Sequence, residues 1–363
     1  MIKANNKKIC IVVSSLGKGG AERSSALLSK MLYQAGFNVH IVSVLDQIDF
    51  SYEGTLLNLG LLKKKNDTAL GRIQRLIVFK KYINKEDFDF IIDNRTRVGF
   101  FKEFIISRLI YGSKKTIYNI HSYKTDRYIH PNPFLAKIIY GSAYKIVTVS
   151  KAIANRIKEK YNFRNVSVIF NAVNTELNNK QAIAINPVDD YILFFGRLDD
   201  DVKNISLLLD GYAKSKLPDN QVKLKILGDG EDAEKLKTKS ANLGLERSVE
   251  FLPFNSNPFS IVQNALYTVL TSRYEGFPMV ITESLTLGTP VISVDCKSGP
   301  NEIIVNTFNG LMVENYNPDA LADAMNQFFE DKELYLHCKS NSKASVAHFS
   351  EEIIVQQWQT LLN

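Results

Sequence analysis

Apolar and polar positions along the first half of the chain fall into blocks of two kinds. Residues 8–15 (KICIVVSS) open with an unbroken apolar run of strand length, the pattern of a strand covered on both faces. A glycine-rich turn follows at 17–20. From Ala21 apolar residues recur at helical spacing as far as Gly36, which is placed where a C-terminal glycine ends a helix. Strand-length runs return at 38–45, 88–93, 114–120, 144–150 and 166–171, separated by stretches long enough for helices. Strands alternating with helices of this length predict a parallel, doubly wound sheet.

Residues 172–189 lose this periodicity and are rich in Asn, as a linker would be. The pattern then restarts. Strands are predicted at 191–196, 222–228, 249–254, 267–272 and 290–295, with helices near 204–216, 231–243 and 279–288. The expected organisation is an α/β domain over 1–175, a linker over 176–189 and a second α/β domain over 190–346. A terminal amphipathic helix in 347–363, carrying Trp358, has the first domain as a surface on which to pack back. Two doubly wound domains joined by one linker leave a cleft, and ligands of such sheets bind at the carboxyl ends of the strands.

Composition sharpens the picture mainly through charge. Residues 1–180 hold 30 Lys+Arg against 13 Asp+Glu, a net +17, and residues 181–363 hold 15 against 25, a net −10. A basic half suits a polyanion: nucleic acid, an anionic membrane face or a phosphorylated substrate. The competing reading is a set of solvated lysines without a partner. The N-terminus lacks the long apolar run of a signal peptide, and no stretch reads as a spanning helix. Cys10, Cys296 and Cys338 are odd in number and far apart, which fits reduced thiols in a cytoplasmic protein rather than a metal site or a disulfide framework.

Three segments carry candidate chemistry. Gly17-Lys18-Gly19-Gly20-Ala21-Glu22-Arg23 joins the first strand to the first helix, where glycines allow close approach and a helix N-terminus offers N–H groups to an anion. Glu22 stands where the third glycine of a dinucleotide-binding Gly-x-Gly-x-x-Gly would fall, and the turn serves equally well with no ligand. Gly196-Arg197-Leu198-Asp199-Asp200-Asp201-Val202-Lys203-Asn204 follows a strand's carboxyl end and brings two cations to a place suited to a diphosphate. Its Asp-x-Asp spacing is that of metal ligands in other transferases, but we read these acids as solvated loop carboxylates. Glu275-Gly276-Phe277-Pro278-Met279-Val280-Ile281-Thr282-Glu283 leads from a strand into a helix. The N–H groups of 276–280 are available to phosphate or sugar oxygens, Glu283 can accept both hydroxyls of a ribose, and Glu275 can meet sugar hydroxyls. Acidic residues also favour a helix start with no ligand present.

Taken in order, Gly-Gly-Ala-Glu-Arg, Gly-Arg-Leu…Lys-Asn, the Gly-Asp-Gly of 228–230 and Glu-x7-Glu from 275 to 283 resemble retaining glycosyltransferase family 4, with its GT-B fold of two Rossmann-like domains facing a cleft. The resemblance covers nearly the whole chain. It implies that Gly19 and Gly20 approach the diphosphate or the transferred sugar, that Arg197 and Lys203 hold the diphosphate, and that Glu283 binds the ribose. Glu275 with Gly276, Phe277, Pro278, Met279 and Val280 would hold the sugar. Gly228 belongs to the donor site, Phe254 lies where nucleobase contacts fall, and His121 matches a histidine near the anomeric centre. The resemblance implies no enzyme nucleophile and no cofactor or metal, because Arg197 and Lys203 take a metal's place. The donor it implies is a nucleoside-diphosphate sugar, with a UDP-sugar favoured.

Asp93-Asn94-Arg95-Thr96-Arg97 ends a strand on the acceptor side. Arg95 and Arg97 there can grip an acceptor phosphate or form a salt bridge at a helix start. Residues 69–83 place Leu70, Ile73, Ile77 and Tyr82 or Ile83 near one side, with Arg72, Arg75, Lys80 and Lys81 interspersed and Lys63–Lys65 before them; residues 100–112 are similar. Such helices suit a peripheral protein at the inner face of the cytoplasmic membrane that takes a lipid-linked or glycan acceptor. If instead their apolar faces pack on the sheet, the lysines are simply solvated. The expected activity is transfer of a hexose or N-acetylhexosamine, with retention, in surface polysaccharide assembly. A GT-B transferase with a soluble acceptor is the alternative within enzymes. A basic nucleic-acid-binding protein is the alternative outside them, and no nucleic-acid-binding motif supports it.

Overall fold

The computed structural model describes residues 7–17, 19–63, 67–112, 115–173 and 190–363, so the linker expected at 176–189 and Lys18 lie outside the described residues. The chain divides into two units. Residues 1–172 together with 351–363 form the first, and residues 173–350 form the second.

The first unit runs β1 (Lys8–Val13), α1 (Gly20–Gln34), β2 (Asn38–Ser43), β3 (Thr55–Asn58), α2 (Ala69–Glu86), β4 (Phe90–Asp93), α3 (Phe100–Ile105), β5 (Thr116–Ile120), α4 (Pro133–Tyr140), β6 (Lys145–Thr148), α5 (Lys151–Tyr161) and β7 (Val166–Val168). Its strands pair in the order β3-β2-β1-β4-β5-β6-β7, every neighbouring pair parallel. Strand β1 is buried along almost its whole length, as its apolar run requires between two helical layers. Polar residues punctuate the helices. Asn132 caps α4 by accepting from Phe134 N and Leu135 N, with Pro133 in the first turn, and Ser150 caps α5 by accepting from Ile153 N. Gly36, at φ 88°, carries the chain out of α1.

The second unit runs β8 (Tyr191–Phe195), α6 (Asp200–Lys203), α7 (Ile205–Lys214), β9 (Lys223–Leu227), α8 (Ala233–Asn242), β10 (Val249–Leu252), α9 (Phe259–Gln263), β11 (Thr268–Leu270), α10 (Met279–Thr286), β12 (Val291–Val294), β13 (Gly310–Val313), α11 (Pro318–Glu330) and α12 (Lys332–Ser345). Its strands, again parallel, follow the order β10-β9-β8-β11-β12-β13. The periodicity does not announce β3 or β13. The first is TLLN, without a β-branched or aromatic run, and the second is four residues long and opens on a glycine. Both are edge strands, placed by the neighbour they pair with.

Strand order reverses once in each sheet, between β1 and β4 and between β8 and β11. At such a point the loops leaving the two carboxyl ends part and open a crevice. The last helix, α13 (Glu351–Leu362), belongs to the first unit. Its Ile354, Trp358 and Leu362 join Ile9, Ile11, Leu32 and Ile41 in one apolar core. Lys7 Nζ donates to Leu362 O at 2.8 Å, and Tyr144 Oη donates to Leu361 O at 3.1 Å. Burying an aromatic the size of Trp358 contributes about 1.5–3 kcal/mol or more to holding the helix there.

Residues 69–86 form one helix, and its exposed side carries apolar residues among the basic ones. Phe79 and Ile83 are buried and Tyr82 Oη meets His40 Nδ1 at 2.6 Å, whereas Leu70, Ile73 and Ile77 are 78, 53 and 49 % exposed. Helix α3 runs on into a π-helical turn over Ile106–Ile110. It exposes Phe101 and Leu109 by 80 and 58 %. These side chains do not pack on the sheet.

Candidate active site

In the second unit the loops at the reversal are built on glycines and on backbone bonds between loops. Gly228 (φ 151°) follows β9, and a Cβ there would lie 1.9 Å from Gly196 O in the loop after β8. A Cβ on Gly230 would lie 2.1 Å from Leu198 O. Leu198 N donates to Asp229 O at 2.9 Å, and Asp229 Oδ1 accepts from Phe254 N at 3.2 Å. Gly-Asp-Gly therefore stitches together the loops after β8, β9 and β10, and only glycine permits the approach. Phe254 is partly exposed at the end of this seam, and Arg197 is an exposed residue just beyond Gly196.

Of the three acids read as solvated, Asp199 and Asp200 are engaged within the protein, and Asp201 is exposed. Asp199 caps α6 by accepting from Val202 N. Asp200 is buried and accepts from Ser206 N at 2.8 Å and Ser206 Oγ at 2.7 Å, with Lys235 Nζ at 3.3 Å. Burial pushes its carboxyl up, and the Ser206 and Lys235 bonds outweigh that and hold it below the ordinary carboxylate value. These caps fix α6, whose last residue is Lys203.

Lys203 and Glu275 come from opposite sides of the reversal. Lys203 Nζ lies 2.7 Å from Glu275 Oε1, which also accepts from Ser272 Oγ at 2.6 Å. The backbones are joined as well: Thr271 Oγ1 donates to Lys203 O at 3.0 Å, and Arg273 N donates to Val202 O at 2.8 Å. Glu275 N in turn donates to Lys297 O at 3.2 Å, beyond β12. The pair is mostly buried without being closed off, at 20 and 12 % side-chain exposure.

Past Glu275 the chain turns through Gly276, Phe277 and Pro278 into α10. Ser298 Oγ donates to Gly276 O at 2.9 Å. Gly299 (φ 100°) packs so closely that a Cβ would lie 2.4 Å from Pro278 Cδ. Pro278 supplies no side-chain cap, so the first-turn N–H groups of Met279 and Val280 open the helix without one. The ring of Phe277 is buried edge-on against Phe349 at 5.0 Å, and the side chains of Pro278 and Met279 are buried too. What this turn offers a ligand is therefore backbone. Glu283 sits in the second turn of α10, 3 % exposed.

In the first unit Gly19 caps α1 with φ 158°, Arg23 N donates to Gly19 O at 3.0 Å, and open space surrounds the position a Gly20 Cβ would take. His121 follows β5. The residue is partly exposed, yet both ring nitrogens are sealed from solvent and neither has a hydrogen-bond partner among the described residues. Desolvation, with a smaller push from the Arg97 guanidinium, lowers its pKa to about 3, so the ring is neutral near pH 7.

Of the two readings open for Arg95 and Arg97, an acceptor phosphate or a salt bridge, the structure shows the salt bridge. Both are buried and committed within the protein. Arg95 pairs with Asp93 at 2.7 Å and with Glu103 at 3.0 Å. Arg97 spends its guanidinium on backbone carbonyls. Burial raises the Asp93 carboxyl, but the two arginines outweigh it and hold it below its ordinary value. Neither arginine presents a face for an acceptor phosphate, because a strand-end carboxylate in a dry core requires them both.

Ser272, Ser298 and Gly299 escaped the sequence reading, and Asp229 entered it only as the middle of Gly-Asp-Gly. Ser272, three residues before Glu275, and Gly299, in Ser298-Gly299-Pro300, sit beside loop signals that pattern alone leaves without a partner.

Comparison with known proteins fits this geometry. Residues 18–177 match Glycosyltransferase Family 4, and residues 176–345 match Glycosyl transferases group 1. The chain is 27 % identical over 360 residues, 95 % of its own length and 96 % of the relative's, to the N-acetylgalactosamine-N,N'-diacetylbacillosaminyl-diphospho-undecaprenol 4-alpha-N-acetylgalactosaminyltransferase of Campylobacter jejuni. It is 36 % identical over 185 residues, 47 % of this chain and 49 % of the relative, to the lipopolysaccharide 1,6-galactosyltransferase of Salmonella typhimurium. Among solved structures, a mutant of S. aureus TarM in complex with fondaparinux, alpha-GlcNAc-glycerol and UDP superposes with a TM-score of 0.78 at 17 % identity, covering 98 % of this chain and 100 % of that one. Anabaena HepE in complex with UDP-glucose superposes at 0.76 with 21 % identity, covering 98 and 99 %. The chain belongs to glycosyltransferase family 4 and has the GT-B fold.

Proposed function

We propose that this glycosyltransferase moves a hexose or N-acetylhexosamine, with retention and without a metal, from a UDP-sugar to a lipid-linked glycan during surface polysaccharide assembly. The Lys203–Glu275 pair at the strand reversal, 2.7 Å across, carries the reading. An ammonium has three protons. One serves Glu275, and the others can meet the β-phosphate, on whose oxygens charge grows as the sugar leaves. Arg197 and the uncapped N-terminus of α10 add positive potential. Donors set in place before the reaction stabilise that charge without reorganising, which is the work a metal does elsewhere. Glu275 Oε2 would take a sugar hydroxyl, Glu283 would bind the ribose, and the Phe254 end of the seam would meet the base. From the first unit, Gly19 and Gly20 would approach the donor, and His121, neutral and with no hydrogen-bond partner among the described residues, would hydrogen-bond the sugar near the reacting carbon.

Relatives support the finer points. The Campylobacter enzyme's name combines an undecaprenyl-diphosphate acceptor with an alpha linkage, and structural neighbours were solved with UDP or UDP-glucose. A lipid-linked acceptor also suits the net +17 of residues 1–180. So does the exposed stripe Leu70, Ile73 and Ile77, flanked by Arg72, Lys80 and Lys81. No helix among the described residues is long and apolar enough to cross a membrane. The stripe would instead lie on the anionic inner face of the cytoplasmic membrane.

A thermal-shift screen against UDP, GDP, ADP and their common sugar conjugates tests the donor site. A ligand at about 100 times its Kd stabilises the native state by about 2.7 kcal/mol. A shift with UDP conjugates alone is expected, a GDP or ADP response would replace the base, and no response to any nucleotide would overturn the reading. Product anomer analysis by NMR then separates retention from inversion.

A further inference from the structure

Arg97 is the bulkiest of the fully buried side chains among the described residues. Its Nε donates to Tyr128 O at 2.8 Å, its Nη1 to Asp93 O at 2.8 Å and Arg95 O at 3.1 Å, and its Nη2 to Asn119 O at 3.2 Å. The guanidinium lies over the rings of Tyr118, Tyr128 and Tyr140 at 5.0, 5.6 and 5.8 Å. The Asp93 carboxylate, 3.5 Å from Nη1, balances its charge. Its own backbone N donates to Arg127 O at 2.8 Å. One side chain thus ties the end of β4, the end of β5 and the turn at 125–128 to one another.

Two of those three pieces of chain border His121. Asn119 precedes it by two residues, and the Tyr128 ring is centred 6.3 Å from the imidazole. No hydrogen bond from a described residue holds either ring nitrogen. The imidazole is therefore placed by the backbone it stands on and by its packing neighbours. We propose that Arg97 is a positioning residue for His121, fixing the β5 end and the Tyr128 ring so that the imidazole stands ready with no hydrogen-bond partner among the described residues. The proposal rests on the reading of His121 as a group that meets the donor sugar. It explains why an arginine is needed. A planar fork with five donors reaches four carbonyls in different directions, whereas a lysine ammonium offers three protons from one point. The charge has a second effect, since the field of the fixed guanidinium adds to desolvation in keeping the imidazole unprotonated. A site whose reacting group is held by its supports needs those supports rigid.

The experiment compares Arg97→Met and Arg97→Lys with the wild-type full chain. Histidine ring signals are read by NMR, the His121 signal being assigned from among the five histidines with His121→Ala. UDP release is followed with UDP-N-acetylgalactosamine and UDP-galactose as the donors tried. Displaced His121 signals are expected in Arg97→Met. With a donor that turns over, kcat should fall by about tenfold or more while KM stays within about twofold, the pattern of a contact made in the transition state. Arg97→Lys should lie between the two. A folded Arg97→Met with His121 signals in their wild-type places would overturn the proposal, as would a change confined to KM. If neither Arg97 variant folds, Tyr128→Leu decides. It removes the ring that neighbours both guanidinium and imidazole but keeps the carbonyl, so shifted His121 signals support the proposal and unshifted ones overturn it. Wild-type turnover in His121→Ala would remove the catalytic reading of His121 by itself, since the ring signals still report on Arg97.

Discussion

Lys203 Nζ and Glu275 Oε1 stand 2.7 Å apart, joining the loop after β8 to the loop after β11 at the one place where the order of the second sheet reverses. Each side chain is the other's charged partner, which orients both at the carboxyl ends of the strands. Lys203→Ala and Glu275→Ala are each expected to lower turnover by more than about tenfold, the roughly 1.4 kcal/mol of one such contact, with the fold retained. Steady-state kinetics beside a thermal melt checks this. Wild-type rates in either variant would remove the pair from the site.

His121 sets a pH dependence. Its folded pKa, about 3, lies below the ordinary 6.5 because of desolvation first and Arg97 second. Between those values the unfolded chain binds a proton that the folded chain refuses. Its contribution is thus complete above pH 6.5 and is lost as pH falls through 6.5 toward 3. Urea melts between pH 4 and 8 should show this slope in the wild type and a shallower one in His121→Gln. Equal slopes would contradict the depressed pKa.

Leu70, Ile73 and Ile77 face outward from α2. Replacing all three with Glu should leave stability nearly unchanged, since exposed substitutions shift it by about 0.5 kcal/mol or less each. Sedimentation with anionic vesicles should fall to background. Binding of the wild type should weaken as salt rises and be poor with neutral lipid. Equal, negligible binding of wild type and variant to both lipids would dismiss the membrane face.

Gly228→Ala would set a methyl 1.9 Å from Gly196 O at φ 151°. With backbone as the obstacle, the seam between the loops after β8 and β9 must move. A loss of about 2 kcal/mol or more is expected, together with a weaker thermal response to UDP. A variant with wild-type stability and response would show that the seam is not strict.

The elements reachable from sequence were those whose burial is local. Strands β1 and β8 are apolar runs, because parallel strands between two helical layers need such runs. The N-terminus of α1 and the start of α10 follow glycine or proline turns that any reading of loop chemistry finds. Edge strands β3 and β13 lack that signature, since a partner on one side places them. The same contrast runs through the candidate site. Glu275, Glu283, Arg197 and Lys203 stood out because charge after a strand's carboxyl end is conspicuous. Ser272 and Asp229 did not, because a hydroxyl or a Gly-flanked acid becomes informative only beside its partner.

Arginines 95 and 97 mark the boundary most clearly. As a sequence, Asp93-Asn94-Arg95-Thr96-Arg97 is two cations at a strand end, equally fit for a phosphate or an ion pair. The amino-acid order by itself determined the alternation of strand and helix, the two α/β halves and the family, since these depend on periodicity and on residues close along the chain. Only the tertiary structure decided that Asp93 lies dry beneath those arginines, that Lys203 meets Glu275 from 72 residues away, and that Leu70, Ile73 and Ile77 point away from the core. The physical reason is the same in each case. Burial, pairing and exposure belong to the neighbours a side chain meets in space, and those neighbours come from distant parts of the chain.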